Sequence, residues 1–244
     1  MFDKSKGAKP LYLQLAEIME SEILSDIYKP GDMLPKELDY IEKYNLSRIT
    51  VRQAINELVL KGYVKRIRGK GTIILPPKIE EPLIRIKSFT DEMKDRGITP
   101  STKSAKIVIT KSFGEISKYL LQNDGDEAYK LTRIRTANNL PIVLFETYIK
   151  KNINMDLDNT IYYGSLYEYL DKNKGIKIKK VNQRISASIA DSRLSQLLNI
   201  RVGEPILILK RQSFDTNNNV IEYTISYYIA DRYEYYIEIE NKEN

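Results

Sequence analysis

Arg133 and Arg135 stand two residues apart in a stretch of β-prone sequence. On a strand that spacing puts both guanidiniums on one face. Two planar forks converging on one spot suit a phosphate or a carboxylate. A cross-strand ion pair with Glu146 or Glu222 would occupy the same arginines. Ser165 and Tyr167 fall at an expected helix start, where backbone N–H groups and hydroxyls favour anions. A second constellation is Arg48, Thr50 and Arg52 with Gln53, at the head of another expected helix. Arginine there can reach guanine O6 and N7 with two parallel bonds, each such pair giving about 1–3 kcal/mol of discrimination. Pairing with Glu57, or simple solvation, is the alternative. A third is Arg68-Gly69-Lys70-Gly71-Thr72, whose glycines let backbone approach a ligand closely. There Lys70 supplies charge and Thr72 a hydroxyl, while Lys65, Arg66 and Arg68 suit phosphates. A plain hairpin turn would have the same composition.

The residue types that are missing narrow the chemistry further. The 244 residues include no Cys, His or Trp. Zinc sites built on thiolate or imidazole, Cys–His pairs and Ser–His–Asp triads are excluded. The usual general base near neutral pH is absent. No catalytic residue, metal or cofactor is expected.

Charge is distributed unevenly along the chain. The formal net charge is +6. Residues 47–72 carry Arg48, Arg52, Lys61, Lys65, Arg66, Arg68 and Lys70 against only Glu57, whereas residues 1–46 are net acidic. A local basic patch beside an acidic flank is the footprint expected of a nucleic-acid contact surface, with a plain solvated surface as the alternative. No apolar run reaches the ~18 residues of a membrane span. Met1 to Pro10 does not read as a secretory signal, so a cytoplasmic location is expected.

The elements that must position these residues follow from periodicity. Pro10 suits a first helical turn, and Leu11, Leu15, Ile18, Met19 and Ile23 recur at helical spacing. Pro35 opens a second helix with Leu38 and Ile41 inward. Ser47 caps a third, whose Val51, Ala54, Ile55 and Leu58 share one face, and Gly62 ends it. Residues 63–67 and 72–75 form a hairpin around the basic turn. Helix–turn–helix followed by a basic hairpin is a winged arrangement, with the third helix entering a major groove N-terminal end first. Residues 76–83, proline-rich and charged, read as a semi-extended linker. Residues 84–244 alternate helices (88–96, 116–121, 166–170, 192–198) with strands (106–112, 128–136, 142–150, 177–189, 206–215, 220–228, 233–239). Hairpins at Asn138-Asn139 and Asn217-Asn218-Asn219 give an α+β domain around an antiparallel sheet. The late tyrosines read as packing residues.

Several of these stretches together resemble a known family. Leu34-Pro35-Lys36-Glu37, Ser47 to Ile55 and Arg68 to Thr72 are similar to the second helix, recognition helix and wing of GntR-family regulators. Ser88 to Met93, Arg96 to Pro100, Leu131 to Arg135, Ser165-Leu166-Tyr167 and Asp231-Arg232-Tyr233 resemble the UTRA effector domain. The resemblance spans the chain in register and is of the HutC type, with repressors of amino-sugar use as the nearest likeness. It implies a homodimer that binds palindromic operator DNA and responds to a small anionic effector, a sugar phosphate. It also implies a C-terminal domain sharing its fold with chorismate lyase. It assigns Lys36, Glu37, Ser47, Arg48, Thr50, Arg52, Gln53, Arg68, Gly69, Lys70, Gly71 and Thr72 to DNA. It assigns Phe89, Thr90, Arg133, Arg135, Ser165, Tyr167, Glu222 and Tyr228 to the effector. Two positions depart from the pattern. Leu38 stands where many relatives carry a base-reading Arg, and Phe145 where the amino-sugar regulators carry Glu. A lyase-like activity, or DNA binding that ignores any effector, are the competing readings.

Overall fold

The computed structural model describes residues 2–25, 27–76, 78–82 and 86–238. The chain forms two compact units, residues 1–79 and 80–244.

The first unit packs α1 (Leu11–Leu24), α2 (Glu37–Tyr44) and α3 (Arg48–Leu60) with the hairpin β1 (Val64–Ile67) and β2 (Gly71–Ile74). Its core joins Leu15, Met19 and Ile23 to the α3 stripe Val51, Ala54, Ile55 and Leu58, with Tyr40, Val64 and Ile74 around them. Leu38 does not point inward as expected: it is 54% exposed. The buried stripe of α2 runs through Tyr40, and at 3.6 residues per turn Leu38 lies about 160° around the helix from it. The hairpin is held from behind by the loop before α2. Gly31 N donates to Ile74 O (2.9 Å) and Leu34 N to Thr72 O (2.8 Å). At the hairpin tip Gly71 has φ +120°, a conformation that side-chain-bearing residues rarely adopt.

The second unit is built on one six-stranded antiparallel sheet. Its strands are β4 (Pro100–Lys111), β5 (Glu127–Ala137), β6 (Leu140–Lys150), β7 (Lys180–Ile189), β8 (Pro205–Phe214) and β9 (Val220–Ile229), in the order β4-β5-β6-β9-β8-β7. The turns follow the expected chemistry: Asn138, Asn139 and Asn218 all have positive φ. Two pairs of helices are laid on the sheet. On one side lie α4 (Phe89–Asp95) and α6 (Leu166–Lys174), and on the other α5 (Glu115–Leu120) and α7 (Ser192–Leu198). The α6 helix runs one turn beyond the expected 166–170. Asp171 to Lys174 lack an apolar signal, yet the helix continues until Gly175 takes φ +66°.

The stretch read as a semi-extended linker is partly a strand. β3 (Ile79–Pro82) pairs with β10 (Tyr233–Tyr236), so its backbone is satisfied by the C-terminal segment. Pro77 and Leu83 of that stretch, and Ile239 of the expected last strand, lie outside the described residues. No helix among the described residues is long and apolar enough to cross a membrane.

Candidate functional site

The sheet register assembles a pocket in the second unit row by row. Arg133, Phe145, Ser226 and Leu209 are consecutive cross-strand partners on β5, β6, β9 and β8. Two residues further along the same face, Leu131, Thr147, Thr224 and Arg211 form the next row. Period-two alternation therefore places Arg133, Phe145, Thr147, Thr224 and Ser226 on one floor. The heads of α4 and α6 form the walls, bringing Phe89, Thr90, Ser165 and Tyr167 over that floor. The space between, about 550 Å³ counting the part that is open to solvent, is a partly open cleft.

One end is cationic. Arg133 and Arg135 are 6% and 2% exposed. Their Nη1 groups converge on a single acceptor, the Gly164 carbonyl just before α6, at 3.2 and 3.0 Å. Arg135 also donates to Ser101 O (3.2 Å) and Thr90 Oγ1 (2.9 Å). Arg133 makes no other hydrogen bond, and its Nε is buried with no partner among the described residues. Neither arginine forms an ion pair there. The expected alternative of a pair with Glu146 or Glu222 is not adopted: Glu146, one residue from Phe145, faces away and pairs with Lys130 (2.8 Å) and Arg193 (3.2 Å). Burial, and then the neighbouring Arg135 charge, lowers the Arg133 pKa to about 9. Burial lowers that of Arg135 to about 10. Both remain charged at neutral pH, and among the described residues neither is ion-paired, although Glu222 at the other end of the pocket partly offsets the Arg133 charge. Ser165 caps α6, its Oγ accepting from Glu168 N (3.3 Å), and the helix N-terminus adds to the positive potential.

The other end is a hydroxyl–carboxylate cluster. Glu222 accepts from Ser213, Thr224 and Tyr167, the last at 3.2 Å. Burial raises its pKa above the usual carboxylate range despite these bonds. The Tyr167 hydroxyl, expected near the anion, is instead engaged by Glu222 and by Ser213 Oγ (3.0 Å). An aromatic wall joins the ends. Phe145 meets Phe89 and Tyr228 edge-on, each at 6.0 Å, and Tyr228 stacks on Tyr233 at 4.1 Å. The Arg135 guanidinium sits 4.9 Å from the Phe89 ring and that of Arg133 5.8 Å from Phe145. All eight effector candidates named from the sequence line this one pocket. Sequence reasoning missed Thr147, Arg211, Ser213, Thr224, Ser226 and the Gly164 carbonyl. Period two and the Asn217-Asn218-Asn219 hairpin could have put some of these on a common face, but the pairing of β9 with β6 carries no local signal.

The other candidates lie in the first unit. Ser47 Oγ accepts from Thr50 N (3.1 Å) and lies 2.9 Å from Thr50 Oγ1, which fixes the first turn of α3. Arg48, Arg52 and Gln53 are exposed beyond it. Arg52 pairs with Glu37 of α2 (3.8 Å) rather than with Glu57, and the same carboxylate holds Arg66 of β1 (3.8 Å). Glu37 is thus a clamp between helix and hairpin. Lys36 is exposed, and its backbone N–H is capped by Asp39 (2.8 Å). Arg68, Gly69 and Lys70 form the exposed tip, with Gly71 and Thr72 at the start of β2.

Comparison with known proteins agrees with both units. Residues 11–74 match the bacterial regulatory proteins of the gntR family, and residues 95–234 match the UTRA domain. The chain is 32% identical over 224 residues to the HTH-type transcriptional repressor NagR of Bacillus subtilis (strain 168), covering 92% of each. It is 26% identical over 238 residues to the mannosyl-D-glycerate transport/metabolism system repressor MngR of Escherichia coli (strain K12), covering 98% of this chain and 99% of that one. The crystal structure of PhnF from Mycobacterium smegmatis superposes with a TM-score of 0.64 at 25% identity, over 96% of this chain and 100% of that one. These families and relatives are regulators rather than enzymes, which removes the lyase-like reading. The chain belongs to the gntR family of bacterial regulatory proteins, with a UTRA domain as its C-terminal half.

Proposed function

We propose that this regulator is a repressor of carbohydrate-uptake or catabolic genes. It acts as a homodimer on a palindromic operator, and a phosphorylated sugar in the UTRA pocket controls its affinity for DNA. One observation carries the reading: Arg133 and Arg135 are buried, charged, aimed at one spot and form no ion pair among the described residues. A phosphate supplies the missing charge and accepts the donors that Arg133 leaves unused. The hydroxyl–carboxylate cluster around Glu222 suits the hydroxyls of a sugar. Phe145 presents an apolar wall where amino-sugar regulators have a carboxylate, which favours a sugar phosphate other than an amino sugar. MngR, by name, governs a mannosyl-D-glycerate system and is itself a repressor.

The test is thermal stability of the full chain against glucosamine 6-phosphate, N-acetylglucosamine 6-phosphate, glucose 6-phosphate and trehalose 6-phosphate. A ligand at 100-fold over its dissociation constant adds about 2.7 kcal/mol to the state that binds it. For a domain of this size that is a shift of roughly 5–10 °C. One compound is expected to produce it, and Arg133→Ala to abolish it. A flat response across phosphates and carboxylates alike would favour DNA binding that ignores any effector.

A further inference from the structure

The outward face of α3 carries an exposed apolar residue at each end, Ile49 in the first turn and Leu60 in the last. Ile49, in the first turn, is 71% exposed and belongs to no hydrophobic cluster of the unit. The buried stripe of α3 is Val51, Ala54, Ile55 and Leu58. At 3.6 residues per turn, Ile49 lies on the opposite side of the helix, in line with the exposed Gln53 and Asn56. Scattered exposed aliphatics are ordinary on protein surfaces. This one lies in sequence between the exposed Arg48 and Arg52, in a unit whose hairpin exposes Arg66, Arg68 and Lys70, a charge pattern that suits DNA. A β-branched side chain on a helix is held to one strongly preferred rotamer, so Ile49 projects as a stiff apolar knob.

In a helix-turn-helix the second helix meets base edges with its N-terminal residues. The major groove offers a side chain one apolar group, the C5-methyl of thymine. We propose that Ile49 packs on that methyl and selects thymine in each half-site. The inference rests on the reading of α3 as the DNA-reading helix.

The test begins with the full chain and a randomised duplex pool, from which bound sequences are selected. The selected duplex is then remade with single thymines replaced by deoxyuridine, which removes the methyl group alone. Binding is followed by fluorescence anisotropy at fixed salt. For one thymine per half-site, the wild type is expected to bind the deoxyuridine duplex about four-fold more weakly, the worth of one buried methyl-sized group. Ile49→Ala should bind both duplexes alike and keep the wild-type salt dependence, because no phosphate contact is lost. Ile49→Val should retain part of the discrimination. Wild-type protein that binds the selected duplex but is indifferent to every deoxyuridine substitution overturns the role of Ile49 and leaves DNA reading by α3 intact. So does an Ile49→Ala variant that keeps the four-fold discrimination. Failure of the pool to enrich any sequence overturns the DNA-reading assignment itself.

Discussion

Arg133 and Arg135 hold two like charges in a place where burial disfavours charge, and Glu222 holds a carboxylate nearby whose pKa burial raises. An unpaired buried charge carries a desolvation cost that an apolar side chain of similar volume removes. Arg133→Met is therefore expected to leave the ligand-free melting temperature unchanged or raised while losing stabilisation by the effector. A fall of several degrees without ligand would mean that its bond to Gly164 matters more than its unpaired charge. Glu222 makes a prediction in pH. Its folded pKa lies above the unfolded value, so the folded state binds the proton more tightly. The stability it contributes is complete below the unfolded pKa of about 4.3 and is lost as pH rises through the folded value. Glu222→Gln has no such loss. In urea titrations the variant should gain on the wild type as pH rises from about 4 to 7, and a gap that does not change with pH would contradict this. Residue types and the two-residue spacing were enough to single out the arginines. Their freedom from Glu146 depended on which face of β6 that carboxylate took.

At the scale of elements, the first turn of α3 depends on its cap. Ser47 satisfies the Thr50 N–H, and Arg48, Ile49, Thr50 and Arg52 all project from the turn so fixed. Ser47→Ala should cost about 1 kcal/mol in denaturant unfolding, and Ser47→Thr much less. DNA affinity should weaken in the same order, and equal affinity for all three proteins would show that the turn holds without its cap. The hairpin should act differently. If Lys70 contacts a phosphate, Lys70→Ala should reduce the slope of log K against log salt by about 0.9, while sequence preference stays the same. These elements were legible because capping, periodicity and turn residues are local. The limits were local too. Asp171 to Lys174 continue a helix without an apolar stripe, and Leu38, next to a proline-opened turn, could be assigned a direction only once the position of Tyr40 was known.

For the whole molecule, the proposed effector and operator are bound by reciprocity. If the effector lowers operator affinity by some factor, the operator must lower effector affinity by the same factor. Couplings of this kind usually fall between about 5- and 150-fold. Titrating effector into the free protein and into the operator-bound protein should give matching factors, and a factor of one in both would leave the pocket without a regulatory role. Two units, a winged arrangement, a basic face and the candidate anion-site residues were legible in the sequence. Each of these is written in spacings of two to four residues or in local charge, which neighbouring side chains read directly. It is the assembled fold that lines up Arg133, Phe145, Ser226 and Leu209 in one row, gathers the two guanidiniums on a main-chain carbonyl, and ties β3 to β10. Those facts depend on pairing between segments as far apart in sequence as Pro82 and Tyr233. Such register is set by how whole faces bury together, and no short stretch of sequence contains it.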